Sequence, residues 1–217
     1  MKKVAIIAPN SLPIPPIRGG GIQSIVSEIV PLFQEFKPYV FSNCEFGIDK
    51  LPLKETDGNV EHRRICQSPW EESLIKLSHF TTHNYFPYVF AIATQIKDVC
   101  PDLIHVLNRP WFLPILRKHL GKNVKILLHH FNNYFMEMKV KKARKYLELA
   151  DGFIGCSNFT INVEVHDRFS DYNKPYFVVS NGINTEIFNP DKLDSNLLNS
   201  LRKKYGIKNG DKVILYV

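Results

Sequence analysis

The sequence predicts an α/β domain, a doubly wound and mostly parallel sheet with helices on both faces. Three observations carry this. Short apolar runs recur along the chain, several of them continuous rather than alternating, as strands covered on both faces require. Segments with helical apolar spacing lie between most of these runs. The first run, KKVAIIAP, leads through a Pro-rich stretch to Gly19, Gly20 and Gly21 and directly into an amphipathic helix. That unit sets free backbone N–H groups and the positive end of a helix dipole at the C-terminal edge of a sheet, where an anionic or polar ligand fits.

Taken in order, residues 4–8 form the first strand. Ile22, Ile25, Val26, Ile29, Val30 and Phe33 follow at three- and four-residue spacing and predict a helix over 22–35. Further strands are expected at 39–42, 62–66, 103–107, 124–129, 152–156 and 177–179. Further helices are expected at 71–80, 86–99, 111–120, 134–149 and 158–169. Pro110 and Trp111 start one of them, and Gly121 ends it as a C-cap after the basic turn LRKHL. Ser157 stands where an N-cap opens the helix over 158–169. Segment 43–62 is the least regular, and its Asp57–Gly58 turn signal is expected to join the second and third strands.

The composition shifts after Pro190. The segment then reads as a linker, a short helix with Gly206 at C′, an Asn–Gly turn and a new apolar strand. A lone terminal strand satisfies neither its backbone groups nor its two faces. Residues 1–190 are therefore expected to form one domain, and 191–217 the linker and first elements of a second, truncated α/β domain.

With 217 residues, 44% hydrophobic and 23% charged, the composition is that of a globular chain with one sizeable core. No apolar run approaches the roughly 20 residues of a membrane helix. The N-terminal apolar run is short and strand-like, a poor match to a signal peptide, so a cytoplasmic chain is expected. Cys44, Cys66, Cys100 and Cys156 are scattered, with no CxxC and no metal-ligand spacing, and are expected to be buried or partly buried free thiols. The net charge of +7 has two readings: attraction to phosphorylated substrates or an anionic membrane surface, or balance by an acidic segment outside these residues. KVKKARKY (139–146) sets Lys and Arg beside Val140, Ala143 and Leu147; such a helix is ordinarily a solvated face, with an anionic membrane surface the alternative. No nucleic-acid-binding module is present.

The glycine loop reads IRGGGIQSIVSEIV. It lacks the GxGxxG of a dinucleotide site, no acidic residue closes a second strand where a nicotinamide ribose needs one, and there is no GK[ST]. It does resemble the GG-x-[EQ] loop of GT-B glycosyltransferases of family four, with Gly20, Gly21 and Gln23 in register. Three further segments follow in that family's order. PDLIHVLNRP (101–110) resembles its PDxxHxHxxx strand and loop, and ADGFIGCSNFT (150–160) its ADxIIxxSxxT element. VVSNGINTEIFNP (178–190) is similar to the VxxNGVDxxxFxP signature that closes the N-terminal domain. HVLNRPWFLPILRKHL and KILLHHFNN most resemble the bacterial spore-coat-associated members.

The resemblance implies the Rossmann-like, acceptor-side half of a retaining enzyme. Such an enzyme moves a sugar from a nucleotide-diphosphate sugar to a glycan, lipid or small-molecule acceptor, here in cell-surface or spore-coat polysaccharide synthesis. It implies no metal or other cofactor, and a cytoplasmic, membrane-peripheral or spore-coat-associated location. The family's nucleotide-binding and paired-glutamate residues lie in its C-terminal domain, so residues 1–217 alone are expected to be inactive.

Candidate site residues follow the C-terminal strand ends. Gly19, Gly20 and Gly21 let a phosphate or sugar approach the backbone, against the plainer reading of a tight strand-to-helix turn. Arg18 adjoins them, either steering an anion or simply solvated. Asn108 and Arg109 end one strand beside the same edge and are donor- or acceptor-binding candidates. His129, His130, Asn132 and Asn133 end the next. Successive strand residues face opposite sides, so at most one of the two histidines is expected to face the cleft. Relatives carry HxH or TxH there; the second position in that register is Phe131, and His130 is the catalytic candidate if the loop is shifted by one residue. Against it stands the reading of both histidines as packing groups. Asn181 and Gly182 are read as shaping the turn after the last strand. The rival functions are a non-catalytic coat-associated or glycan-binding protein that keeps the fold, and another GT-B enzyme such as an epimerase or phosphorylase.

Overall fold

The computed structural model describes residues 1–44, 51–66, 85–208 and 210–214, so the expected helix at 71–80 lies outside the described residues. The chain divides into two units, Met1–Asn181 and Gly182–Val217.

In the first unit the strands are β1 (Lys2–Ile7), β2 (Phe36–Asn43), β3 (Lys54–Asp57), β4 (Val60–Ile65), β5 (Leu103–Leu107), β6 (Lys125–His130), β7 (Gly152–Gly155) and β8 (Tyr176–Val178). They form one sheet in the order β3-β4-β2-β1-β5-β6-β7-β8. Every pairing is parallel except β3 with β4. The helices are α1 (Gly21–Ile29), α2 (Phe86–Val99), α3 (Leu113–Leu120), α4 (Tyr134–Glu137), α5 (Val140–Leu149) and α6 (Asn158–Ile161). The second strand of the sequence thus pairs on one side of β1 and the fifth on the other. That reversal is the topological switch point of a doubly wound sheet.

The strand alternation divides the core. Ala5, Ile7, Ile104, Val106, Ile126, Leu128 and Phe153 face one side and pack with α2, α3 and α5 through Ile92, Leu116 and Leu147. Val4, Ile6, Ala8 and Leu107 face the other and pack with Val26 of α1, Val30 and Ile14. Arg117 of α3 ties helix to sheet edge. Its Nε donates to Leu149 O at 2.8 Å and one Nη to Val124 O at 2.8 Å, and its other Nη pairs with Asp151. Partial burial alone would raise the Asp151 carboxyl, but the Ile126 N–H and the Arg117 guanidinium outweigh it and hold the pKa below the usual carboxylate range.

The structure departs from the sequence expectations at five places in this unit. The helix expected over 22–35 ends at Ile29 and passes into a 3-10 turn over Val30–Leu32, because Phe33 is extended (ψ 112°) and β2 begins at Phe36. Residues Lys54–Asp57 form β3, an edge strand, so the Asp57–Gly58 turn closes a β3–β4 hairpin rather than joining the second and third expected strands. The helix expected over 134–149 breaks at Met138, whose ψ of 146° is extended, giving the separate α4 and α5. The helix expected over 158–169 keeps its Ser157 cap, whose Oγ accepts from Thr160 N–H at 3.2 Å, but passes at Asn162 into a π-helical stretch, Asn162–His166. Cys44 and Cys66 form a disulfide rather than remaining free thiols, because the parallel register of β2 and β4 carries them to a Cα separation of 4.9 Å. Cys100 and Cys156 are free thiols, Cys156 partly buried as expected but Cys100 exposed, since it stands just past the C-terminal end of α2.

In the second unit α7 (Ser195–Lys204) is capped by Asp194, whose Oδ1 accepts from Asn196 N–H at 2.8 Å and Leu197 N–H at 3.3 Å. It ends as its sequence foretold. Gly206 takes φ 66°, its N–H donates to Lys203 O at 3.2 Å, and Ile207 N–H donates to Arg202 O at 2.9 Å, a Schellman closure. The strand expected after the Asn–Gly turn is not formed over 211–214; 215–217 lie outside the described residues.

Candidate functional site

Because β1, β5, β6 and β7 are parallel neighbours, the loops that leave their C-terminal ends lie along one edge of the sheet. They carry the candidates predicted from sequence: the glycines after β1, Asn108 and Arg109 after β5, and the asparagines after β6.

The first loop runs from Ala8 to Gly20 and is held firmly at its base. Ala8 N–H donates to Phe41 O at 2.9 Å, and the buried Tyr88 hydroxyl donates to Ala8 O at 3.1 Å. Gly19 and Gly20 have φ of 78° and 112°, conformations that favour glycine. At Gly20 space also matters, since a Cβ would stand 2.5 Å from Gln23 Oε1 and 2.9 Å from Leu12 Cδ1. Gln23 is buried and folds its amide back onto this turn, which accounts for a Gln two positions into the helix. A Cβ at Gly19 or Gly21 would meet nothing within 4 Å, so the loop is open on those sides. Among the described residues no side chain caps α1 by a hydrogen bond. Its first-turn N–H groups are donors that an anion can use.

Across the switch point, Asn108 is 2% exposed and has φ 53°. Its N–H donates to His129 O at 2.7 Å and its Oδ1 accepts from Phe131 N–H at 3.2 Å, so the side chain is spent tying β5 to β6. Arg109 is placed differently. It is half-buried, with Nη1 donating to Asn108 O at 2.9 Å and its guanidinium 5.3 Å from the centroid of the Trp111 ring. Desolvation lowers its pKa, while Tyr134, through charge and a hydrogen bond, and Tyr88 act in the opposite sense. An arginine remains charged in such a setting. The aromatic surround of Arg109 was not visible in the sequence, because Tyr88 and Tyr134 reach it from α2 and α4.

The histidines behave as the alternation of a strand requires. His129 turns to the α1 side. It stacks on His105 (centroids 5.3 Å apart, planes 4° apart) and on Phe131 (4.1 Å), with His105 Nε2 and His129 Nδ1 3.2 Å apart. Burial, with the neighbouring His105 and His130, pushes His129 down to about 3, and burial pushes His105 down to about 4. Both are neutral at neutral pH. His130 turns to the opposite side and is fully enclosed by Tyr134, Phe135 and Phe153. Its Nδ1 is 3.3 Å from Oε2 of the equally buried Glu164, not aligned as a hydrogen bond, and among the described residues both imidazole nitrogens lack another partner. Glu164 points inward from the π-helical stretch, a distortion frequent at functional positions. Neither histidine presents its ring to solvent, whereas Asn132 and Asn133 are exposed. Arg18 is also exposed.

No family model matches the chain. It is 28% identical over 218 residues to "Putative glycosyltransferase YtcC" of Bacillus subtilis (strain 168), a match that covers 99% of this chain and 48% of that protein. It is 25% identical over 220 residues to "Spore coat protein SA" of the same organism, covering 99% of this chain and 52% of that one. The chain therefore spans about half the length of the curated relatives it matches. Among solved structures, an E. coli trehalose-6-phosphate structure bound with UDP-2-fluoro glucose superposes with a TM-score of 0.63 at 15% identity, covering 94% of this chain and 55% of that one. The fold is the Rossmann-like half of the GT-B fold, as the motifs of the sequence indicate.

Proposed function

We propose that this chain is the acceptor-side half of a retaining glycosyltransferase that takes a nucleotide-diphosphate sugar as donor and a glycan, lipid or small molecule as acceptor. The observation that carries the reading is the pairing, at the switch point, of an uncapped α1 N-terminus behind Gly19–Gly21 with the half-buried cation of Arg109. Both offer positive potential where a diphosphate leaving group develops charge. The name of the YtcC relative and the donor analogue bound in the E. coli structure support the same class.

Transfer with retention needs the leaving diphosphate stabilised and the acceptor oxygen brought to the same face of the sugar, the phosphate assisting its deprotonation. In this reading the loop amides and Arg109 serve the diphosphate, the exposed Asn132 and Asn133 the sugar or acceptor, and His129 and His130 support the β6 end from beneath. The transfer then needs no metal, and the nucleotide-binding half lies outside residues 1–217. The test is sugar transfer by the complete natural polypeptide, offered a panel of nucleotide sugars, with the anomeric configuration of the product determined. Retained product supports the reading, and inverted product removes the mechanism.

A second reading is a non-catalytic glycan-binding or coat-associated protein. It is favoured by the full burial of His130 and by Phe131 at the position where the resembled family carries its second histidine, and it expects no turnover of any donor.

The location we propose is cytoplasmic and peripheral, with a coat association suggested by the spore coat relative. Lys139, Lys141, Lys142 and Lys145 are exposed beside exposed Met136 and Val140, a face suited to anionic lipid. Each Lys near such a surface contributes about 1 kcal/mol, so Lys141→Glu with Lys145→Glu should abolish sedimentation with phosphatidylserine vesicles. Equal binding to neutral vesicles would remove the membrane from the account.

A further inference from the structure

The glycine loop is gripped from below by a ladder of side chains that none of the site residues accounts for. In the parallel register of β2 and β4, Val40 faces His62 and Ser42 faces Arg64. The next residues on the same side of each strand are Cys44 and Cys66, joined as a disulfide. Ser42 and Arg64 hold the same loop residue from its two ends. Ser42 Oγ accepts the Ile14 N–H at 3.2 Å, and Arg64 Nε donates to Ile14 O at 3.0 Å. Ile14 is fully buried, and Ser42 and Arg64 are 0% and 3% exposed. Arg64 also donates to Pro52 O at 2.6 Å and pairs with Glu55 at 2.9 Å, so its guanidinium is fixed by three groups. A charge taken this far out of water is retained only where such partners hold it.

We propose that Ser42 and Arg64 are positioning residues for the glycine loop, acting through Ile14, and that the Cys44–Cys66 bond regulates their hold. The disulfide is the last rung of the ladder and fixes the separation of the two strand ends from which Ser42 and Arg64 project. In a reducing compartment a disulfide is characteristically transient and redox-sensing rather than structural. Closure proceeds by exchange with a small disulfide of the glutathione type. One cysteine thiolate attacks it and releases one small thiol, and the second cysteine displaces the other. Two protein thiols are oxidised, one small disulfide is reduced to two thiols, and the protons pass to those thiols. Opening is the reverse. The positioning half stands on the contacts of Ile14 alone; its effect on donor use rests on the proposed function.

The test is limited trypsinolysis of the native chain. The rate of cleavage after Arg18, in the loop, is compared with that after Lys122, on the exposed turn between α3 and β6. Loss of a charged hydrogen bond should speed loop cleavage about tenfold in Arg64→Met, and loss of a neutral one about fivefold in Ser42→Ala, with Lys122 cleavage unchanged. If Arg64→Met fails to fold, Ser42→Ala decides alone. Unchanged Arg18 cleavage in the folded variants overturns the positioning role, as does equal acceleration at both sites. Dithiothreitol should speed Arg18 cleavage of the wild type and have no effect on Cys66→Ser, which should already match the reduced rate. An unchanged rate on reduction overturns the regulatory role. None of these readings requires donor turnover, so failure here is separable from failure of the proposed function.

Discussion

The two sides of the switch point handle polar groups in opposite ways. On the β1 side the loop leads into a helix start with no side-chain cap and places its side-chain partners, Ser42, Arg64 and Gln23, underneath. On the β5–β6 side the polar side chains turn inward: Asn108 bonds the next strand, His129 stacks on His105, and His130 faces Glu164 in an aromatic enclosure. The exceptions are Arg109, a half-buried cation among rings at the β5 end, and the exposed Asn132 and Asn133 after β6. The difference teaches that the histidines so prominent in the sequence are buried in the edge, while main-chain amides, one arginine and two asparagines are the groups that we propose for the ligand.

The sharpest way to break this contrast is at Glu164. Glu164 is 1% exposed and its side chain fills the space facing His130, so the cavity left by Glu164→Ala should cost about 3 kcal/mol of unfolding free energy, read by denaturant titration. A variant as stable as the wild type would mean that His130 and Glu164 are not the support described. The glycine side should respond differently. Gly20→Ala meets both an unfavourable φ and a 2.5 Å contact and should lose about 2 kcal/mol. Gly21→Ala meets neither, so its stability should hold while donor use falls. Loss of stability without loss of donor use at Gly21 would reduce the loop to a turn.

Acid should separate the two sides as well. The folded-state pKa of His129 is lowered from 6.5 to about 3, and that of His105 to about 4. Below pH 6.5 the unfolded chain therefore binds more protons than the folded one. Stability is fully present above that pH and falls as pH drops toward 4 and then 3. From pH 6.5 to 5, His129 accounts for about 2 kcal/mol of this loss, and His129→Asn should flatten the acid limb of a thermal-melt series. An identical limb in the variant would contradict the burial of that ring.

Much of the sheet was legible because its signals are local. The strand at 103–107 and the helix at 86–99 appear with the bounds read from apolar spacing, and the caps at Ser157, Gly121 and Gly206 follow from single residue types. What was not legible depends on contacts between distant segments. Lys54–Asp57 reads KETD, too polar to announce a strand, and exists because β4 offers it a free edge. The Cys44–Cys66 bond needs the β2–β4 register, which no spacing of cysteines reveals. The surround of Arg109 and the inward turn of Glu164 need the placement of α2, α4 and the π-helical stretch. The division of the two histidines between faces, by contrast, follows from strand alternation alone.

The most direct measurement is the kcat/KM for the sugar-nucleotide donor in the complete natural polypeptide, wild type against Arg109→Ala. Loss of charge-assisted contacts to a diphosphate should lower it about 10- to 100-fold, with the unfolding midpoint little changed. An unchanged kcat/KM in Arg109→Ala, or a wild type that turns over no donor, would contradict the assignment of this edge as the diphosphate site.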